Sequence, residues 1–234
     1  MDLFFEIHQD LPREGPGDDR STAQALSMLQ ELPDVPRVLD IGCGPGKQTL
    51  VLARETAGQV LAIDTHQPFL DRLAIQAAQA GLSNQIAVKN ASMFDLQVEA
   101  NSLDLIWSEG AIYIIGFSEG LKTWKPFLKP GGYLGVTEIS WLVDNPPAKV
   151  LNFWQKDYPG MSGIAGNIHR VLSNVYQFVG CFVLPRSSWE TEYYQPLEQR
   201  MQQIREKYPT NHEVLVLLEQ ITNEITLFRE YPGT

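Results

Sequence analysis

Nine residues, Val38-Leu39-Asp40-Ile41-Gly42-Cys43-Gly44-Pro45-Gly46, constrain this chain more than any other stretch. The aliphatic run up to Ile41 reads as a buried strand, and glycine then stands at every second position. Glycine lacks a Cβ, so it turns a chain through left-handed conformations and lets backbone approach a ligand closely. A strand turning sharply into a ligand-binding loop is therefore expected, since a plain tight turn would need one glycine rather than three. Two other glycine loops fail at single positions. The dinucleotide pattern G-x-G-x-x-G needs glycine where Lys47 stands, and the phosphate loop G-x-x-x-x-G-K-[ST] needs glycine at Ile41 and a hydroxyl at Gln48.

Around this loop strand and helix alternate. Strands are predicted at 37–41, 60–64, 86–90, 103–107 and 133–139, and helices at 47–57, 67–80 and 117–128. Short apolar strands joined by helices imply right-handed crossovers, hence an α/β fold with a doubly wound, mostly parallel sheet. Ligands in such sheets sit beyond the carboxyl ends of the strands, where the strand order reverses. An N-terminal arm (1–20) ends in the loop Pro12-Arg13-Glu14-Gly15-Pro16-Gly17-Asp18-Asp19-Arg20, and Ser21 or Thr22 caps the next helix, to about Leu32. After Ser140, helices are expected at 147–158 and 164–179, a strand at 182–185, and helices at 195–207 and 212–229. Ile204, Leu215, Leu218, Ile221, Ile225 and Phe228 share an apolar face that reads as packing. The implied organisation is a single domain: arm and cap helix over 1–35, ligand-binding core over 36–190, C-terminal helical flank over 191–234.

Bulk properties narrow the partners. The 234 residues are 44% hydrophobic, ordinary for a globular chain, and the net charge of −10 opposes the phosphate neutralisation that nucleic-acid binding relies on. With no run of about 18 apolar residues and no leader pattern at the start, no membrane span is expected and the cytoplasm is the expected compartment. Cys43 and Cys181 lack metal or disulfide-framework spacing and read as free thiols. His8, His66, His169 and His212 are scattered, so no metal site is expected.

Asp64 ends the second strand, 18 residues beyond Gly46, close to the interval of about 20 at which nucleotide-binding α/β folds place an acid on a ribose. Its alternative is an acid near the start of the next helix, stabilised by the helix dipole. The pattern D-x-G-x-G-x-G over Asp40 to Gly46 resembles motif I of the class I methyltransferases that use S-adenosylmethionine (SAM). That resemblance implies that Asp40, Gly42, Cys43, Gly44 and Gly46 border the amino-acid end of the cofactor and that SAM becomes S-adenosylhomocysteine (SAH). It places Ser92 and Met93 at adenine, Ser92 through its backbone or hydroxyl and Met93 on the ring face. It places Glu109, Gly110 and Tyr113 beside the sulfonium and the acceptor, while His66, by its position two residues past Asp64, is expected to border ribose or adenine. The segment W-S-E-G-A-I-Y-x-I-G-F from Trp107 to Phe117 is similar to small-molecule methyltransferases of the ubiquinone-biosynthesis type, and Lys129-Pro130-Gly131-Gly132 is similar to the family's turn into the fifth strand.

The expected activity is methyl transfer to a small-molecule acceptor, with Glu109 and Tyr113 as candidates for a general base if the acceptor arrives protonated, ahead of Glu138. Asp19, Arg20, Trp141, Trp154, Tyr158 and Trp189 are candidates to cover the acceptor. The alternative is a SAM-binding sensor or docking module without transfer, since fold does not fix function. A protein acceptor is disfavoured, a homodimer is compatible with the sequence, and Asn145-Pro146-Pro147 lies too late in the chain to act as an amino-methyltransferase N-P-P motif. Enzymes of the resembled fold usually finish with an antiparallel strand pair, so either this sheet lacks it or the sheet is completed differently.

Overall fold

The aliphatic runs after Arg37 and Gly58 form the middle of a parallel sheet in the computed structural model, which describes residues 3–234. Met1 and Asp2, the start of the expected arm, lie outside the described residues. In chain order the elements are α1 (Leu3–His8), α2 (Asp19–Ser27), β1 (Arg37–Ile41), α3 (Lys47–Thr56), β2 (Gln59–Asp64), α4 (Gln67–Gln79), β3 (Ile86–Asn90), β4 (Leu103–Ser108), α5 (Phe117–Trp124) and β5 (Leu128–Val136). There follow β6 (Ser140–Trp141), α6 (Ala148–Asp157), β7 (Ser162–Gly163), α7 (Ile164–Ser173), α8 (Arg186–Trp189), α9 (Gln195–Lys207) and α10 (His212–Glu230). The chain divides into two compact units: 8–138 with 179–196, and a second made of the stretch ending at Ile7, 139–178 and 197–234.

The first unit holds the sheet. Its five strands are all parallel in the order β3-β2-β1-β4-β5, the doubly wound arrangement expected. The chain winds outward from β1 to β3 and then crosses to β4, so the strand order reverses between β1 and β4. Val38, Val60, Ala62, Leu105 and Trp107 from the strands share one buried cluster with Leu26, Leu52, Leu70 and Leu73 from α2, α3 and α4. Each leucine so buried contributes on the order of 1.5–3 kcal/mol, which anchors the strand ends that carry the loops. Gly135 is required by the same packing, because a Cβ there would lie 2.4 Å from the ring of Trp107.

Local chemistry moves several expected boundaries. Helix α2 starts three or four residues early, because Asp18 rather than Ser21 or Thr22 is the cap and accepts the Ser21 amide at 2.8 Å. Lys129 to Gly132 is not a turn before β5 but a bulge inside it: Leu103 pairs with Leu128 and Leu105 with Tyr133, with Gly131 at φ 80°. The strand expected at 182–185 does not form, for this run has no ladder partner, and α8 begins behind Pro185. A five-residue π-helical turn, Glu190–Tyr194, joins α8 to α9 and was not anticipated. Among the described residues no strand follows β5 into the sheet.

The second unit is mainly helical. Helix α7 stops at Ser173, six residues short of expectation, where the Asn174 side chain bonds the Arg170 carbonyl at 2.9 Å and Val175 takes φ 61°. Buried Glu6 accepts from Lys207 Nζ at 2.6 Å and from the Tyr208 hydroxyl at 2.9 Å, and the lysine bond holds its carboxyl below the usual range. Of the expected apolar face, Ile204, Leu218 and Ile225 are buried and Leu215, Ile221 and Phe228 partly so. No helix among the described residues is long and apolar enough to cross a membrane.

Candidate functional site

At the switch point the glycine loop folds back over the end of β2. The amides of Gly42 and Cys43 both donate to the Ile63 carbonyl, at 2.9 and 3.0 Å. Gly42, Gly44 and Gly46 adopt φ of 69°, 51° and 86°, where side chains are strained. Each also answers a different neighbour. A Cβ on Gly42 would come within 2.5 Å of Ala111 in the loop after β4, one on Gly46 within 2.2 Å of Leu73 in α4, and one on Gly44 within 2.7 Å of Glu14 Oε2 in the arm. The loop is thus a cradle of bare backbone. Cys43 between them is buried and its thiol is pushed well up, by burial first and then by Asp40, Asp64 and Glu14, so it stays protonated.

Four acidic side chains converge on this loop. Asp64, at the end of β2, accepts the Gly44 amide on Oδ2 at 2.9 Å and the His66 amide on Oδ1 at 2.8 Å. Each oxygen keeps a second lone pair for a ligand hydroxyl. Asp40 is fully buried: Oδ2 accepts the Thr49 hydroxyl at 2.6 Å while Oδ1 has no partner. Burial, with Glu109 and Asp64 adding repulsion, raises its pKa to about 7. Glu14 lies against Gly44 with Oε1 buried and unpartnered, and burial together with Asp64 raises its pKa to about 8.

Glu109 directly follows β4, and both its oxygens are engaged. Oε1 accepts the Thr22 hydroxyl at 2.6 Å and the Trp107 indole at 2.9 Å, and Oε2 accepts Arg13 Nη1 at 2.9 Å. Arg13 also reaches Asp19 Oδ1 at 3.0 Å. Arg13, Glu14 and Thr22 are the contributors that sequence reasoning missed. Their charged, proline- and glycine-rich stretch reads as a solvated loop, although a buried arginine needs a distant acid, and Glu109 was already singled out.

The remaining expected residues are more dispersed. Met93 places its Cε 3.7 Å from the Cβ position of Gly42, so it borders the cradle. Ser92 Oγ accepts the Phe94 amide at 3.2 Å, closing a short turn after β3. Tyr113 lies in the 3₁₀ turn Ile112–Ile114, half-exposed, next in the chain to the Ala111-bearing wall. His66 caps α4 and meets the Phe69 ring edge-on at 4.5 Å. Trp189 packs within 5.8 Å of Tyr194 in this unit, whereas Trp141, Trp154 and Tyr158 belong to the other.

Known proteins resemble this chain in part of its sequence and in its fold. Residues 38–132 match the family of methyltransferase domains. The dimethylglycine N-methyltransferase of Parasynechococcus marenigrum is 34% identical over 121 residues, covering 51% of this chain and 43% of that protein. The 2-methyl-6-phytyl-1,4-hydroquinone methyltransferase of Synechocystis is 30% identical over 129 residues, or 55% of this chain and 39% of that one. The chain therefore spans less than half the length of these relatives. A SAM-dependent methyltransferase from Geobacter sulfurreducens, solved with SAH, superposes with a TM-score of 0.83 at 19% identity over 98% of this chain and 92% of its own. The fold is that of the Rossmann-like methyltransferases.

Proposed function

We propose that the chain binds SAM on the glycine cradle and transfers its methyl group to a small-molecule acceptor. The observation that carries this reading is the cradle itself: three left-handed glycines at the β1/β4 switch point, fastened to Asp64 through the Gly44 amide. The residues present suit the cofactor. Asp64 retains lone pairs for the two ribose hydroxyls, and a phosphorylated ribose would be repelled by the surrounding acids. Buried acceptors without donors, Asp40 Oδ1 and Glu14 Oε1, suit a cationic ligand with hydrogen-bond donors. The methyltransferase match over 38–132 supports the same reading.

When bound, SAM supplies an already activated methyl on its sulfonium, so the protein must chiefly orient an acceptor and exclude water. We assign Glu109 to holding the arm against the mouth of the site, since Thr22, Trp107 and Arg13 occupy its oxygens. Tyr113, half-exposed after β4, is the residue we place against the acceptor. The W-S-E-G-A-I-Y-x-I-G-F segment, similar to small-molecule methyltransferases of the ubiquinone-biosynthesis type, supports a small-molecule acceptor. Calorimetry with SAM, SAH, NAD and ATP tests the cofactor: SAM and SAH bind saturably and the other two do not, and NAD binding without SAM binding overturns the assignment. SAH formation in metabolite fractions then separates transfer from mere sensing.

A further inference from the structure

The arm brings one carboxyl to the cradle that none of the family-like motifs contains. Glu14 sits on Gly44, its Oε2 2.7 Å from where a Cβ would be, while Oε1 is buried with no hydrogen-bond partner. Asp40, fully buried at the end of β1, presents a second orphan acceptor, Oδ1, below the same loop. Asp64 and Glu109 add two further acids, and the guanidinium of Arg13 is already shared between Glu109 and Asp19. A buried acceptor without a donor costs free energy until a donor arrives, and a concentration of acids selects a donor that is also a cation. No group of three or more His, Cys, Asp or Glu among the described residues could hold a metal ion. A nitrogen cation supplies both the donor and the charge these oxygens call for. A sulfonium carries positive charge but no N–H, so of the two cationic centres in SAM only the ammonium can satisfy these oxygens.

We propose that Glu14, delivered by the N-terminal arm, is a cofactor-recognition residue that accepts hydrogen bonds from the ammonium group at the amino-acid end of SAM. This rests on the methyltransferase reading above. It makes the arm part of the binding site and predicts equal service to SAM and SAH, which share the ammonium, and none to 5′-methylthioadenosine, which lacks the amino-acid end.

Isothermal titration of the full chain with these three compounds tests it, using Glu14→Leu and Glu14→Gln. Leucine has similar size and removes an acceptor that has no partner in the free protein, so its ligand-free melting temperature is expected to be no lower than that of the wild type. Affinity for SAM and for SAH is expected to fall by about tenfold or more, the scale of lost bonds to a charged group, with methylthioadenosine unchanged. Unchanged affinity for SAM and SAH overturns the proposal, as does an equal loss for all three compounds, which makes Glu14 a shaper of the loop. If the wild type binds neither SAM nor SAH, the methyltransferase reading fails and this proposal falls with it. Glu14→Gln, which keeps shape and polarity without charge, provides the comparison should the leucine variant fold poorly.

Discussion

Arg13 and Glu109 stand 96 residues apart in sequence, and their side chains meet at 2.9 Å with only 6% and 9% of their surface exposed. One belongs to a loop that reads as solvated, the other to the exit of a core strand. Burying the pair costs desolvation of both charges, so the bridge is better understood as fixing where the arm lies than as a source of stability. Removing one partner is a different matter, because it strands the other charge in a dry setting. Arg13→Ala is expected to destabilise the fold by about 3–5 kcal/mol, read as a shift of the urea midpoint at unchanged slope. Glu109→Gln should cost less, since Arg13 keeps Asp19 and the glutamine oxygen can still accept from Thr22 or Trp107. A midpoint unmoved by Arg13→Ala would mean that the arm is not held by this contact.

Gly46 offers a test of packing. Its φ of 86° and the Leu73 methyl 2.2 Å from its Cβ position combine backbone and steric strain. Gly46→Ala is expected to destabilise by about 2–4 kcal/mol, from the left-handed conformation together with overpacking. Leu73→Ala alone opens a cavity and costs about 2–5 kcal/mol. In the double variant the new methyl finds that space, so the combined loss should fall short of the sum by roughly 1 kcal/mol or more. Strict additivity in a double-mutant cycle would show that conformation alone requires the glycine.

Strand placement and the cradle were legible in the sequence because their signals are local. Val38 to Ile41 is apolar throughout, and the three glycines state their need for left-handed backbone directly. The arm was not legible, since Arg13 and Glu14 derive their burial from Glu109 and Gly44, and nothing within a few residues of them encodes either partner. The same limit applies to the failed strand at 182–185. Its composition suits a strand, but a strand exists only with a neighbour to pair with, and none is offered. The bulge at Lys129 to Gly132 reads as a turn because proline and glycine favour both, and only the register against Leu103 and Leu105 separates them.

Asp64 serves the loop and, in the proposed function, the cofactor. Asp64→Ala removes acceptors from the Gly44 and His66 amides as well as from the ribose hydroxyls. SAM affinity is expected to fall by about 1–3 kcal/mol, roughly five- to 150-fold, with a smaller loss of melting temperature. Calorimetry and thermal unfolding on the same samples separate the two effects. Intact affinity with a collapsed melting temperature would leave Asp64 a loop fastener only.

Two raised carboxyl pKa values give the ligand-free protein an unusual dependence on pH. Glu14 rises from 4.5 to about 8, through burial and then Asp64, and Asp40 rises from 3.8 to about 7, through burial with Glu109 and Asp64. In both, folding favours the neutral form, so between these limits the native state binds more protons than the unfolded chain. The sign follows directly: their contribution is fully present below pH 4, and stability declines as pH rises through about 7 and about 8. Cys43 is pushed well up by burial first and then by Asp40, Asp64 and Glu14, and stays neutral over this interval. Urea unfolding at intervals from pH 5 to 8.5 should show the decline. Glu14→Leu should abolish the decline between about pH 7 and about 8 and make it shallower below, leaving the Asp40 contribution, which ends near pH 7 and which Asp40→Asn should remove in turn. A stability that is flat or rising across this range would show that neither carboxyl is held neutral by the fold.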